Sequence, residues 1–139
     1  MAFARKQKTS PEDKRHYLEM IQNIISRLSH EAQTNRGWYI ATTTALCTGI
    51  VLNGSHGLYR IILAESAMFF LLELSYLTNE RRYRKLYENT SVQPYDKIDF
   101  SMKVERHFWS DYIGAAFRPI NLIYAVMIIY SALKTLMIF

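Results

Sequence analysis

Apolar residues fall in three blocks along the chain, and most of the charge lies between and before them. The first block runs from Trp38 to Leu52 and the second from Leu58 to Leu77, separated by Asn53-Gly54-Ser55-His56-Gly57. Asn-Gly and His-Gly interrupt regular structure, so the two blocks are predicted as antiparallel helices around a tight turn. The third block, Pro119 to Phe139, is about twenty-one residues with Pro in its first turn, enough to cross ~30 Å of hydrocarbon. Ahead of the first block the pattern changes. Tyr17, Leu18, Ile21, Ile24, Ile25 and Leu28 recur at three- and four-residue spacing on a helix whose other face carries Lys14, Glu19, Gln22, Asn23 and Arg27. Ser10-Pro11-Glu12-Asp13 starts that helix, with Ser as N-cap, Pro in the first turn and acids at the positive end of the dipole. Its stripe is too narrow and too charged to span a bilayer, so it packs on a second cytosolic helix or lies on the membrane surface; packing is favoured, because a partner exists further along the chain.

That partner is the continuation of the second block. Nothing breaks the helix through Thr78-Asn79-Glu80-Arg81-Arg82-Tyr83-Arg84-Lys85-Leu86-Tyr87-Glu88, and Tyr83, Leu86 and Tyr87 are placed to meet the stripe. Asn89 to about Asp99, with Pro94, reads as a loop. Phe100 to Tyr112 is predicted as a short interfacial helix with Phe100, Val104, Phe108, Trp109 and Tyr112 on its apolar side. The expected fold is all-α: an oligomeric integral membrane bundle of three transmembrane helices with cytosolic helical extensions. Its segments are 1–36 (basic arm and amphipathic helix), 37–77 (transmembrane hairpin), 78–117 (basic helix, loop and interfacial helix) and 118–139 (third span).

Composition narrows this picture. The 139 residues are half hydrophobic and carry a formal net charge of +5. Lys and Arg crowd the N-terminal arm and the stretch from Thr78 to Arg118, while the turn at 53–57 has none. The positive-inside rule then puts the N-terminus and the long loop inside, and the first turn and the C-terminus outside. Arg36-Gly37-Trp38-Tyr39 suits the headgroup level. Met1 to Lys8 is basic but no apolar core follows at signal-peptide distance, so no cleaved targeting segment is expected. The single cysteine, Cys47, cannot form an internal disulfide.

Polar residues inside the apolar blocks are the candidate chemistry. Glu65 lies about seven residues, or roughly 10 Å, inside the second block. A charged side chain at mid-bilayer costs about 2.5–3.5 kcal/mol on insertion scales. Glu65 must therefore be protonated, paired within the protein or wetted, as a structural acid or as a pore-lining one. Glu73 lies nearer the cytosolic end, where a structural role is favoured. Thr44 and Thr48 either back-bond to helix carbonyls or line a seam or wet cavity. Ala41, Ala45 and Gly49 form a small-residue stripe that permits close helix approach. Arg81, Arg82, Arg84 and Lys85 are the densest basic cluster, and with Arg36 they serve lipid headgroups or an anionic ligand such as a nucleotide or oligonucleotide. No phosphate-cradling loop, dinucleotide fingerprint or nucleophile elbow is present. His16, His30, His56 and His107 are scattered, so no metal, cofactor or enzymatic activity is expected.

Two stretches carry a family resemblance. Tyr17-Leu18-Glu19-Met20-Ile21-Gln22 with Ile24, Ile25, Arg27, Leu28, Gly37 and Trp38 is one. Leu72, Glu73, Tyr76, Leu77, Glu80, Arg81, Arg84, Leu86 and Tyr87 form the other. Together they resemble the small bacterial membrane effectors of the SLATT group, over most of residues 14–88. The acidic position that the group carries as Asp is Glu73 here. The resemblance implies a pore-forming effector of anti-phage defence, acting by abortive infection and paired with a nucleotide-generating or sensing partner. It also implies that the membrane is a bacterial inner one, with the N-terminus cytoplasmic and the C-terminus periplasmic. Hailong-type systems, in which a nucleotidyltransferase makes DNA oligomers that control a channel, are one such setting. The expected function is thus an oligomeric ion channel, a tetramer being one stoichiometry, gated by a nucleotide, a DNA oligomer or a partner protein. The alternative is a non-conducting anchor or sensor that recruits a cytosolic partner.

Overall fold

A computed structural model describes residues 10–104 and 108–137. The basic arm at 1–9 lies outside them. Four α-helices make up the fold: α1 (Pro11–Asn53), α2 (Leu58–Val92), α3 (Phe108–Ala116) and α4 (Leu122–Met137), with single 3₁₀ turns at Tyr95–Lys97 and Pro119–Asn121. The described residues contain no strand.

Helix α1 begins as its sequence dictates. Ser10 accepts from the Asp13 backbone N–H, and the Asp13 carboxylate accepts from the Ser10 N–H at 2.8 Å, so two otherwise orphaned donors are satisfied. These bonds hold the Asp13 carboxyl below the usual aspartate range. The helix then runs unbroken through Arg36-Gly37 and ends at Gly54, whose φ of 63° is the left-handed conformation glycine adopts without a Cβ clash. The chain turns there and α2 returns antiparallel along the whole of α1.

The register of this hairpin is constant from end to end. Thr42 and Thr43 lie opposite Glu65, Tyr39 opposite Ser66 and Phe69, and Arg36 opposite Glu73. At the far end Lys14 Nζ donates to the carbonyls of Ser91 and Gln93, both at 2.8 Å. A cation there satisfies carbonyls that the end of α2 leaves open and suits the negative pole of its dipole. Tyr17 and Ile21, from the apolar stripe, are buried. The stripe therefore packs on the extension of α2, as its width and charge predict.

Three boundaries depart from expectation. Helix α2 continues to Val92, beyond the loop start predicted at Asn89, and stops where Pro94 disfavours helical geometry for Gln93. The segment predicted as a helix from Phe100 to Tyr112 is irregular through Val104; its residues 105–107 lie outside the described ones, and α3 is described from Phe108. The cause is local and tertiary together. Asp99 accepts from the N–H and hydroxyl of Ser101, at 3.1 and 2.7 Å, a turn that competes with helix. Tyr17 then pins the strand-like segment: its hydroxyl donates to the Ser101 carbonyl at 2.7 Å, and its ring meets Phe100 edge-on at 5.2 Å. Burial in this contact raises the Tyr17 phenol above its ordinary range. Finally, α3 extends through Gly114-Ala115-Ala116 and packs Ala115 on Leu74 and Leu77 of α2. Asn121 Nδ2 donates to the carbonyls of Ala115 and Ala116, at 2.8 and 3.3 Å, closing the end of α3. Helix α4 then lies antiparallel to α2, with Tyr124 fully buried between Tyr39 and Phe70.

Two helices are long and apolar enough to cross a membrane: Leu58–Val92, and Pro119–Met137 counted with its 3₁₀ turn. Little of their apolar surface is covered by protein. Only 33% of the apolar window in the first and 17% of that in the second is buried. The core helix of a water-soluble bundle would be mostly buried, so these windows present greasy surface outward.

Candidate functional site: the polar seam of the α1–α2 hairpin

The exposed surface changes character at one level. On α1, Gln33 and Thr34 are exposed on the N-terminal side of Arg36, and Trp38 and Ile40 on the other. On α2 the exposed run Leu71-Leu72 ends at Glu73, and Arg84, Lys85 and Glu88 follow as exposed residues. On the way into α4 exposed apolar surface begins at Phe117 and continues through Ile120, Leu122 and Ile123. Arg36, Glu73 and the start of α4 therefore mark one edge of an apolar belt, and the 53–57 turn marks the other. Seventeen-odd helical residues of α1 between these edges span roughly 25 Å at 1.5 Å per residue, somewhat thin for a ~30 Å hydrocarbon core.

Polar side chains run down the seam inside this belt. At its edge, Glu73 is fully buried; Arg36 Nε donates to its Oε1 at 3.0 Å and Asn35 Nδ2 to its Oε2 at 3.4 Å. The buried Tyr124 hydroxyl of α4 lies beside this group. One turn deeper, the Tyr39 and Ser66 hydroxyls meet at 3.0 Å. One turn deeper again, the hydroxyls of Thr42 and Thr43 donate to the two oxygens of Glu65. Among the described residues no basic side chain is ion-paired with Glu65. It is half-buried, near the middle of the belt. Two carboxylates on one helix, eight residues apart, thus meet opposite fates: among the described residues Glu73 has a cation and Glu65 has hydroxyls.

Of the two alternatives for Thr44 and Thr48, back-bonding is the one observed, and neither shares a flank with Glu65. Their hydroxyls back-bond to the carbonyls of Ile40 and Thr44, at 2.7 and 2.9 Å. Successive residues are turned by about 100° on a helix, so Thr42 and Thr44 leave Thr43 on opposite flanks. Thr44 and Thr48 border a groove of about 460 Å³ that Met127 of α4 closes, whereas Glu65 and Thr42 lie on the other flank. Thr42 and Thr43, not singled out by sequence, are the ones that reach the acid. The signal available was register: a hairpin turning at Asn53–Gly57 brings residues near 43 opposite 65. Of the small-residue stripe, Ala41 and Ala45 stay exposed, and Gly49 alone meets α2, where a Cβ would lie 3.2 Å from Leu58 Cδ1.

The basic cluster is largely neutralised within the chain. Arg82 is buried, and its Nε donates to Asp111 Oδ2 of α3 at 2.8 Å. Its guanidinium also lies over the Tyr112 ring at 5.9 Å. Arg84 pairs with Glu80 at 2.7 Å, and Lys85 Nζ lies 3.9 Å from Asp111. Arg81 reaches across α3 so closely that a Cβ at Gly114 would sit 2.5 Å from its Nη1. A side chain at 114 would oblige the tip of Arg81 to shift. Arg82 and Arg81 thus bind α3 to α2, and the expectation of four cations open to a ligand is corrected to a partial one. Lys85 keeps an exposed face and, with Lys103, lines a cavity of about 400 Å³ whose wall also holds Asp99 and Asp111. Ser101 hydrogen bonds hold the Asp99 carboxyl below its ordinary range, so that wall is acidic as well as basic.

Among the described residues no group of three or more His, Cys, Asp or Glu is placed to hold a metal ion. Compared with protein-family models, with curated proteins and with solved structures, the chain matches none.

Proposed function

We propose that the chain is one subunit of an oligomeric transmembrane pore, a bacterial effector that depolarises the inner membrane when an anionic signal or partner protein reaches its cytosolic end. Glu65 carries the reading. A carboxylate at mid-belt with threonine hydroxyls as its described partners gains nothing for the stability of a lipid-exposed hairpin, because an uncompensated charge in hydrocarbon is costly. Water or a cation pathway between copies would relieve that cost. Three helices cannot enclose a pore, so several copies ring an axis with their Glu65–Thr42 flanks turned inward. The reading takes the belt portion of α1 as a third span beside α2 and α4, with the Lys- and Arg-rich stalk in the cytoplasm.

The likeness to SLATT-type effectors supplies the setting of antiviral defence and a nucleotide or DNA-oligomer signal. Lys85 and Lys103, in the cavity at the end of the stalk, are the cations such a signal would engage; Asp111 competes with it for Lys85.

Reconstitution into liposomes tests the reading. Ion flux through the wild-type chain, in the presence of its signal, is expected to fall or change selectivity in Glu65→Gln, while cross-linked oligomers persist. Flux unaltered by both Glu65→Gln and Glu65→Leu would falsify the assignment of Glu65. A chain that inserts and assembles but conducts under no condition is instead a membrane anchor for a cytosolic partner.

A further inference from the structure

A second groove lies between α1 and the start of α4, at the edge of the apolar belt. It encloses about 260 Å³ and is lined by Arg36, Tyr39, Ile40, Pro119, Ile120 and Ile123. Its walls are apolar, and Ile40, Ile120 and Ile123 are each more than two-fifths exposed, so the groove opens outward. Arg36 is the charged group in this lining. We infer that this groove holds an anionic phospholipid of the cytoplasmic leaflet, its phosphate on Arg36 and the first part of an acyl chain against Ile40, Ile120 and Ile123. The inference rests on the membrane reading above but needs neither a pore nor an oligomer.

Three observations favour a lipid. First, Arg36 sits where the exposed surface of α1 passes from Gln33-Thr34 to Trp38-Ile40, which is the headgroup level of any bilayer the belt occupies. Second, the guanidinium has five N–H donors, and the ion pair with Glu73 is made through Nε. About a quarter of the Arg36 side chain remains exposed while the Glu73 carboxylate is fully buried, so the outward edge of the pair is cationic. Third, Asn35 also donates to Glu73, so a phosphate drawing on Arg36 would not strip the buried carboxylate of every partner. Arg118, immediately before Pro119 in the chain, adds a second cation at the same end of the bundle. A water-soluble anion would gain nothing from walls of isoleucine; an acyl chain would.

The purified full chain in mild detergent tests this by native mass spectrometry, titrated with phosphatidylglycerol or phosphatidylcholine. Phosphatidylglycerol should be retained about tenfold better, the worth of one charge-assisted contact of ~1.4 kcal/mol. The neutral pair Arg36→Gln/Glu73→Gln should erase that preference. Ile123→Trp, at an exposed position that leaves the ion pair untouched, should lower retention of both lipids by filling the groove; it also serves should the double variant misfold. Glycerol phosphate in excess should not displace the lipid. Equal retention of the two lipids by the wild type, an undiminished preference in a folded double variant, full retention by Ile123→Trp, or displacement by glycerol phosphate would each overturn the inference. A chain that stays monodisperse in buffer without detergent overturns the membrane reading itself, which is a separate outcome.

Discussion

Glu73 and Glu65 stand two turns apart on α2, and α1 treats them differently. Opposite Glu73 it offers Arg36 and Asn35; opposite Glu65 it offers Thr42 and Thr43. The first level is charge-balanced and closed around its carboxylate, which is fully buried while its cation is about a quarter exposed. The second is half-open and balanced by no described cation. An acid's role in an apolar helix is therefore decided across the seam, by the element it faces, and not by its own depth. The closed level also lies at the belt edge, where Arg36 can reach water or headgroups; the open one lies where no cation could do so cheaply.

The largest effect should come from opening the closed level. Arg36→Gln leaves Glu73 buried without its cation, and breaking a buried pair costs about 3–5 kcal/mol. Thermal unfolding in detergent should show it, with Arg36→Gln/Glu73→Gln recovering most of the loss. Were Arg36→Gln no worse than wild type, the closed level would not be an electrostatic lock at all.

Arg82→Gln extends the same rule to the stalk. It removes the 2.8 Å contact to buried Asp111 and leaves Lys85 at 3.9 Å, so the expected loss is about 2 kcal/mol, borne mainly by α3. Amide exchange over residues 111–116 should accelerate while α1 and α2 hold. Uniform acceleration along the chain would mean that α3 does not detach as a unit.

At the open level the expectation reverses. Glu65→Gln exchanges bonds to threonine for similar neutral ones, so stability should change by less than about 1 kcal/mol, whereas ion flux should change strongly. A drop in melting temperature matching that of Arg36→Gln would erase the distinction between the two levels.

The smallest effect is expected at the start of α1. Ser10→Ala removes the N-cap, which costs about 1 kcal/mol of local helix stability. The capping box also makes the first turn pH-sensitive. The Asp13 pKa is depressed in the folded chain, so its contribution is complete above the ordinary aspartate pKa of 3.8 and fades as pH falls through the depressed value. First-turn amide exchange should therefore quicken at low pH in wild type and lose that dependence in Asp13→Asn, which has no carboxyl to titrate; Ser10→Ala keeps the Ser10 backbone N–H that is the main cause of the depression.

Local signals in the sequence were enough for the helices. Ser10 and Asp13, the Asn53–Gly57 turn, Pro94 and Pro119 are breakers and caps that act within a few residues, and the spacing of Tyr17 through Leu28 marks a packing face. These determine the all-helical class, the hairpin and the outward-facing apolar windows, because each rests on backbone chemistry or periodicity that needs no distant partner. Tertiary structure decided the rest. It held Phe100–Val104 out of a helix, since Tyr17 binds that segment from more than eighty positions away. It spent Arg82 on Asp111 and Arg36 on Glu73, which a row of basic residues in a sequence does not disclose. It turned Thr44 and Thr48 away from Glu65 and brought Thr42 and Thr43 to it, because helix phase and hairpin register fix which hydroxyl crosses the seam, and both are properties of two elements packed together.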